Sequence, residues 1–349
     1  MITGSGTGLT YAPDANACNT PPGTTLDTFT YTYATGKDQV SSIAKSSDGK
    51  TVSYGYDTRG NRLYDDDSKW TQDRRDFTFD ARNNLITASG QMWISGTTFH
   101  DYTVTNAFDH RNRRIFKSVL DEDDLVESQF FYYYDVRDRL IEVKYTPDIS
   151  SSSTYQIFEF YWIGNRPIAY YQTDYPGATV TRRYFHTDDL GTPIDAWTWP
   201  TSGDTTRAWA VQPDAWGWGD VVTGTSVYQP LRFPGQMLDE ETLAYGKQGP
   251  NVYTVRPALH ENRHRVYDPF TGGYLQVDPL VAEGWDAYGY VSSNPVGNVD
   301  PWGLIKCQAP PGSPGCTFPD QGDVFGEDKW LTTKIQIASG GENAVLIRP

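Results

Sequence analysis

The chain has 349 residues and a formal charge of −15 at neutral pH, with a pI near 4.7. That balance disfavours nucleic-acid binding by the general surface, because phosphate contact needs clustered Lys and Arg. No run of eighteen apolar residues occurs, so no membrane span is expected. Twenty-four Tyr and eleven Trp favour pleated, half-buried surfaces, and 32 Gly and 22 Pro supply turns, so the composition reads as all-β.

Residues 1–28 read as an irregular segment. They hold no basic stretch followed by an apolar core, so a cleaved Sec signal is not expected and the chain is expected to be cytoplasmic as made. From residue 29 a repeat begins. SYGYDTRGNRL, FTFDARNNLI, NAFDHRNRRI and YYYDVRDRLI align on Asp57, Asp80, Asp109 and Asp135, at separations of 23, 29 and 26 residues. Each Asp follows an aromatic (Tyr56, Phe79, Phe108, Tyr134) and precedes an Arg by two (Arg59, Arg82, Arg111, Arg137). A residue that tolerates positive φ or turns comes next (Gly60, Asn83, Asn112, Asp138), then an aliphatic six after the Asp (Leu63, Ile86, Ile115, Ile141). A weaker copy has Ala34 in the Asp position. The pattern is that of a hairpin: alternating aromatics make a strand with one buried face, the Asp gathers backbone amides to start the turn, and the aliphatic begins the return strand. One hairpin cannot bury its own face, so neighbours must add into a long sheet. These Asp and Arg residues are expected to build turns, not to catalyse.

The repeat resembles the YD repeat of Rhs proteins, toxin-complex C proteins and teneurins. The resemblance implies a sheet of stacked hairpins forming part of a spiralling β-shell over residues 29–230. Further hairpins follow at IFEFYWIGNRPIAYYQ, turning at Gly164-Asn165, and at RRYFHTDDLGTPIDAW. The latter looks like the family's tyrosine-rich segment, with Asp189 in place of its second His. His186, Asp188 and Asp189 read more simply as a surface loop than as a metal site.

LRFPGQMLDEET (Leu231 to Thr242), then LHENRHRVYDPFTGGYLQVDP and WDAYGYVSSNPVGNVDPWGL, resemble the Rhs-associated core over residues 231–304, with residues 243–258 as an insertion. A short helical or irregular core segment is expected here. Asp278-Pro279 and Asp300-Pro301 alone suggest two ordinary turns. The resemblance implies more: a self-cleaving aspartyl protease whose paired Asp-Pro-x-Gly motifs act together with an upstream Arg. The pair maps to Asp278 and Asp300, the Arg to Arg265, and the cut to the bond between Leu304 and Ile305, with Gly303 allowing the tight turn. Val281 replaces the Gly of the first motif, and Gly273 stands where the family often has Arg. Two close carboxylates sharing one proton suit such chemistry without cofactor or metal.

Residues 305–349 form a variable tail opening in CQAPPGSPGC. Cys307 and Cys316 can pair across this loop, but two free thiols are the simpler reading. The resemblance implies that the tail is a partner held inside the shell, with upstream shell or secretion-apparatus proteins and an immunity protein as further partners. Secretion or cell-surface display is expected only as part of a longer protein. The leading functional expectation is a shell and self-processing module of a polymorphic toxin. A carbohydrate- or protein-binding surface module and an inactive remnant are the alternatives.

Overall fold

The computed structural model describes residues 29–308, apart from 36, 46–48, 68–73, 96–97, 122–125, 148–152, 200–203, 225–226, 249–250, 281–285 and 305. All described residues lie in one compact unit. Sixteen strands, from Phe29–Tyr33 to Gly219–Thr223, form a single sheet in which every strand pairs antiparallel with its neighbours in sequence. The alternation of side chains makes one face apolar. Phe77, Val104, Val143, Phe158, Ala196 and Trp209 are all at most 2% exposed and belong to one core.

The turns explain why the sheet is a meander. Asp57 Oδ1 accepts the backbone N–H of Arg59 and of Asn61, each at 2.8 Å. Asp80, Asp109 and Asp135 receive the amides two and four residues on in the same way, at 2.8–3.0 Å. Gly60, Asn83, Asn112 and Asp138 all have positive φ. Each turn is tied to the next: Arg59 donates to the Asp80 carbonyl, Arg82 to the Asp109 carbonyl and Arg111 to the Asp138 carboxylate. Asn61 and Asn84 reach Asn83 and Asn112 one turn further on.

Two features differ from the sequence reading. The return strands begin five residues after the Asp, at Arg62, Leu85, Arg114 and Leu140. The residue at that position faces the core, whereas Leu63, Ile115 and Ile141 are exposed. A register shift beside each turn moves the phase by one residue, and in a strand that exchanges the faces. The same turn also occurs twice more between described strands of the sheet. Asp188 Oδ1 accepts the Thr192 amide at 2.8 Å, and Asp214 Oδ1 those of Trp216 and Trp218 at 2.8 and 3.0 Å. His186 pairs with Asp195 at 2.8 Å, not with Asp188 or Asp189.

Residues 231–304 pack on the apolar face. Leu231, Met237, Leu259, Val266 and Leu275 join the same core. The segment carries a four-stranded sheet of Met237–Asp239, Leu259–Asn262, Arg265–Asp268 and Gly273–Tyr274, with short 3-10 turns at Glu240–Thr242 and Val291–Ser293. The inserted residues form a hairpin, Ala244–Gln248 against Asn251–Arg256. Its roots are pinned together. Arg75 donates to the carbonyls of Thr242 and Pro257, and Thr242 Oγ1 accepts the Leu259 amide. The flanking strands therefore pair directly, Asp239 opposite Leu259.

Charged groups are buried where this segment meets the sheet. Asp65 receives Arg75 at 2.8 Å and Arg256 at 2.9 Å, and Arg62 reaches Asp268 at 2.6 Å. Arg114 and Lys117 converge on Asp239 at 2.7 and 3.2 Å. Asp268-Pro269 is a third Asp-Pro pair that the sequence reading passed over, and its carboxylate is taken by Arg62. Cys307 is disulfide-bonded, which corrects the free-thiol reading. It is buried on a short bridge to Val299, and the other cysteines, Cys18 and Cys316, lie outside the described residues. No helix among the described residues is long and apolar enough to cross a membrane.

Candidate active site

Leu259–Asn262 and Arg265–Asp268 are joined by two residues, with Arg263 at φ 60°. The hairpin places Asn262 directly opposite Arg265, so their side chains leave the same face. Tyr274 enters from the last strand of the small sheet. The turn beginning at Asp300 closes over these three residues.

Asp300 builds the turn already met in the repeats. Its Oδ1 accepts the Trp302 amide at 3.4 Å and the Leu304 amide at 3.0 Å. Leu304 thus occupies the place of Asn61, Asn84, Arg113 and Arg139. Gly303, at φ +68°, has no room for a side chain: a Cβ would lie 2.5 Å from the Asn262 carbonyl oxygen. Oδ2 of Asp300 accepts the Tyr274 hydroxyl at 2.8 Å and Arg265 Nη2 at 3.3 Å. The same Nη2 lies 2.9 Å from Asp278 Oδ2, so one guanidinium nitrogen bridges the two carboxylates. Arg265 Nε donates to the Gly303 carbonyl, and its guanidinium stacks 3.7 Å from the centre of the Tyr274 ring. Asn262 Nδ2 donates to the Tyr274 hydroxyl and to the Asp300 carbonyl, both at 2.9 Å. Arg265 Nη1 is buried and makes no hydrogen bond among the described residues.

Asp300 and Leu304 are 2% and 4% exposed. Asp278 lies nearer solvent, with its Oδ1 accepting the Leu280 amide at 2.8 Å. Burial pushes the Asp278 carboxyl above its ordinary range and the Asp300 charge adds to this, while Arg265 and the Leu280 amide pull it down. Burial, then Asp300, raises the Tyr274 hydroxyl well above its ordinary value, so it stays a donor.

The structure therefore brings together Asp278, Asp300, Arg265, Gly303 and Leu304. Ile305 and Val281 lie outside the described residues. Asp57, Asp80, Asp109 and Asp135 stand apart, at the sheet's turns. Gly273 approaches the Tyr288 backbone so closely that a Cβ would meet its carbonyl oxygen at 2.7 Å, which leaves no place for the family's Arg. Sequence reading missed Asn262 and Tyr274, which carry no motif of their own. It also missed that Asp300 shares the turn of the repeats. The signal was present: Asp57-x-x-Gly60, Asp188-x-x-Gly191, Asp214-x-x-Gly217 and Asp300-x-x-Gly303 have one spacing.

A meander of Asp-turn hairpins, carrying a docked segment with a buried Asp–Arg–Asp cluster, defines a YD-repeat β protein. No family model matches the chain. It is 37% identical over 130 residues to double-stranded DNA deaminase toxin A of Burkholderia cenocepacia, covering 36% of this chain and 8% of that protein. It is 27% identical over 237 residues to probable deoxyribonuclease RhsA of Dickeya dadantii, covering 66% of this chain and 14% of that protein. Toxin protein Tse5 of Pseudomonas aeruginosa is 33% identical over 123 residues, covering 35% and 8%. The chain thus matches only 8 to 14% of the length of these curated relatives. Among solved structures, the TcdB2-TccC3 crystal structure aligns with 80% of this chain and 19% of that chain, at 13% identity and a TM-score of 0.37. The chain is thus similar in sequence to Rhs and toxin proteins.

Proposed function

We propose that the chain is a shell-wall and self-processing module of an Rhs-type toxin, and that it cuts its own backbone between Leu304 and Ile305. One observation carries the reading. A buried Arg265 touches both carboxylates and also holds the Gly303 carbonyl, one residue before the bond to be cut.

The chemistry follows from the contacts. Asp300, surrounded by donors, acts as base and takes a proton from water while the hydroxyl attacks the Leu304 carbonyl carbon. Asp278, whose carboxyl is raised, donates its proton to the carbonyl oxygen. Arg265 Nη1 is the donor left to hydrogen-bond the same oxygen as that proton arrives. As the tetrahedral intermediate collapses and the C–N bond breaks, Asp300 gives its proton to the Ile305 nitrogen and the second hydroxyl returns a proton to Asp278, leaving a carboxylic acid on Leu304 that then ionises. The reaction is intramolecular, and alignment replaces much of the entropic cost of bringing substrate to catalyst. The sheet serves as the platform on which the core segment is built, and the tail after Leu304 is the released product.

The intact mass of the purified chain tests this, beside Asp300→Asn and Asp278→Asn. Fragments ending at Leu304 and beginning at Ile305 are expected from the parent chain only. A folded parent chain that stays whole refutes self-processing and leaves the remnant reading.

A further inference from the structure

The core segment meets the sheet along the rim of turns, at the same place in four successive repeats. That place is the third residue after the Asp: Gly60, Asn83, Asn112 and Asp138, each at positive φ. Tyr288 donates its hydroxyl to the Gly60 carbonyl at 2.7 Å. A Cβ at Gly60 would lie 2.5 Å from Val277, which explains the glycine in this turn. Gln276 Nε2 donates to the Asn83 carbonyl at 3.1 Å, while its Oε1 accepts the Val266 amide at 2.8 Å. Asn112 Nδ2 lies 3.0 Å from His264 Nδ1, and Arg263 pairs with Asp138 at 2.9 Å. These core residues adjoin the reactive cluster. Arg263 and His264 immediately precede Arg265, and Gln276 and Val277 immediately precede Asp278. Tyr288 follows Ala287, whose carbonyl accepts the Asp278 amide at 2.9 Å.

The link through His264 reaches the scissile turn itself. Asn84 Nδ2 donates to Asn112 Oδ1 at 3.2 Å, which leaves the nitrogen of the Asn112 amide facing His264. An amide nitrogen donates, so His264 Nδ1 accepts and the ring proton sits on Nε2. Burial, with Arg263, Arg265 and Arg82 nearby, lowers the imidazole to about 3, so the ring is neutral and keeps that acceptor. The backbone amide of His264 donates to the Trp302 carbonyl at 3.4 Å, and Arg265 Nε donates to that of Gly303. Residues 264 and 265 therefore hold the two carbonyls that precede Leu304. We propose that Asn112 and His264 are positioning residues for the self-cleavage proposed above, a role that rests on that reading of the site. The amide in the third repeat turn fixes the His264 ring, and with it the strand that holds the Trp302–Leu304 turn against Arg265, Asp278 and Asp300. Neither residue touches the reacting atoms. Their effect is on alignment, to which an intramolecular reaction is sensitive. The turns that build the sheet thus also align the cut.

Cleavage of the full chain, followed by intact mass after a pulse of cell-free synthesis, tests the role, because the pulse supplies uncut chain at the start. Asn112→Gly keeps the positive φ without strain and removes the side-chain amide. His264→Leu fills the site and removes the acceptor, whereas His264→Asn puts an amide oxygen where Nδ1 stood. Asn112→Gly and His264→Leu are each expected to slow cleavage by about tenfold or more. The double variant should be no slower than the slower of the two, because both break one contact. His264→Asn should cleave close to the parent's rate. Denaturation midpoints, measured with Asp300→Asn added so that every chain is uncut, show which variants fold. A merely structural role would make the rate follow the midpoint and not the acceptor. Parent-like rates in Asn112→Gly and His264→Leu overturn the role, as do additive losses or a His264→Asn chain as slow as His264→Leu. In each of those cases the parent still cuts itself and self-processing stands. A folded parent chain that stays whole refutes self-processing, and the role falls with it.

Discussion

Asp57 and Asp300 make the same turn and differ in what meets the second carboxylate oxygen. At Asp57 it is Asn61 Nδ2 and, at 3.3 Å, the half-exposed Arg59, and the group stays structural. At Asp300 it is a tyrosine hydroxyl and a buried guanidinium shared with another carboxylate. Two outcomes follow at this scale. Tyr274→Phe keeps the ring beneath Arg265 and removes only the hydroxyl. A hydrogen bond to a charged group contributes about 1.5–3 kcal/mol, so self-cleavage is expected to slow by roughly tenfold or more. An unchanged rate, followed by mass over time, would leave the hydroxyl with packing alone. Gly303→Ala combines a left-handed backbone with a carbonyl in the way. It should cost about 1–2 kcal/mol from conformation alone and displace Leu304, abolishing cleavage. Urea denaturation and intact mass read the two effects separately.

At the scale of elements, the core segment is held to the sheet by apolar packing and by buried ion clusters. Asp65 is fully buried and serves both Arg75 and Arg256, and these bonds hold its carboxyl below the ordinary range despite the opposing effect of burial. Asp65→Asn removes the buried carboxylate that receives both Arg75 and Arg256. Breaking a buried pair from one side costs about 3–5 kcal/mol, and the denaturation midpoint should fall accordingly. The inserted hairpin is the opposite case. Its roots are fixed by Arg75 and Thr242, and the strands on either side already pair. Replacing residues 246–253 by a two-residue turn is therefore expected to leave the core folded, with self-cleavage intact. Loss of cooperative unfolding would show that the hairpin itself supports the core.

For the whole molecule, stability against pH has two opposed contributions from the hairpin between residues 261 and 264. Burial raises the Glu261 carboxyl from 4.5 to about 7. The folded state therefore favours the proton, and stability falls as pH rises from about 4.5 to 7, by ~3 kcal/mol in all. Burial, with the neighbouring Arg263 and Arg265, lowers His264 from 6.5 to about 3. The folded state rejects that proton, so stability falls as pH drops below 6.5. Between 4.5 and 6.5 the two slopes oppose one another. Glu261→Gln keeps an acceptor for the Arg263 amide and removes the first slope. The variant should gain over the parent chain as pH rises to 7, and match it below pH 4.5. Denaturation midpoints across that range measure the difference, and a constant gap would reject the assignment.

The hairpins were legible because their information is local. An aromatic, an Asp, an Arg two residues on and a Gly or Asn at the third place specify a turn that the backbone closes by itself, and alternation specifies the strands. The pairing order followed, since each strand joins its neighbour. The resemblance named Asp278, Asp300, Arg265 and Gly303. What remained hidden depended on contacts distant in sequence. The one-residue shift that turns Leu63 outward and Arg62 inward arises from register, which no single strand displays. Arg62 meets Asp268 and Arg114 meets Asp239 only after the core segment has docked on the sheet, and Asn262 and Tyr274 meet Asp300 only when that segment folds on itself. Whether an Asp in this common turn stays structural or joins a reactive pair is decided by the group that tertiary packing brings to its second oxygen.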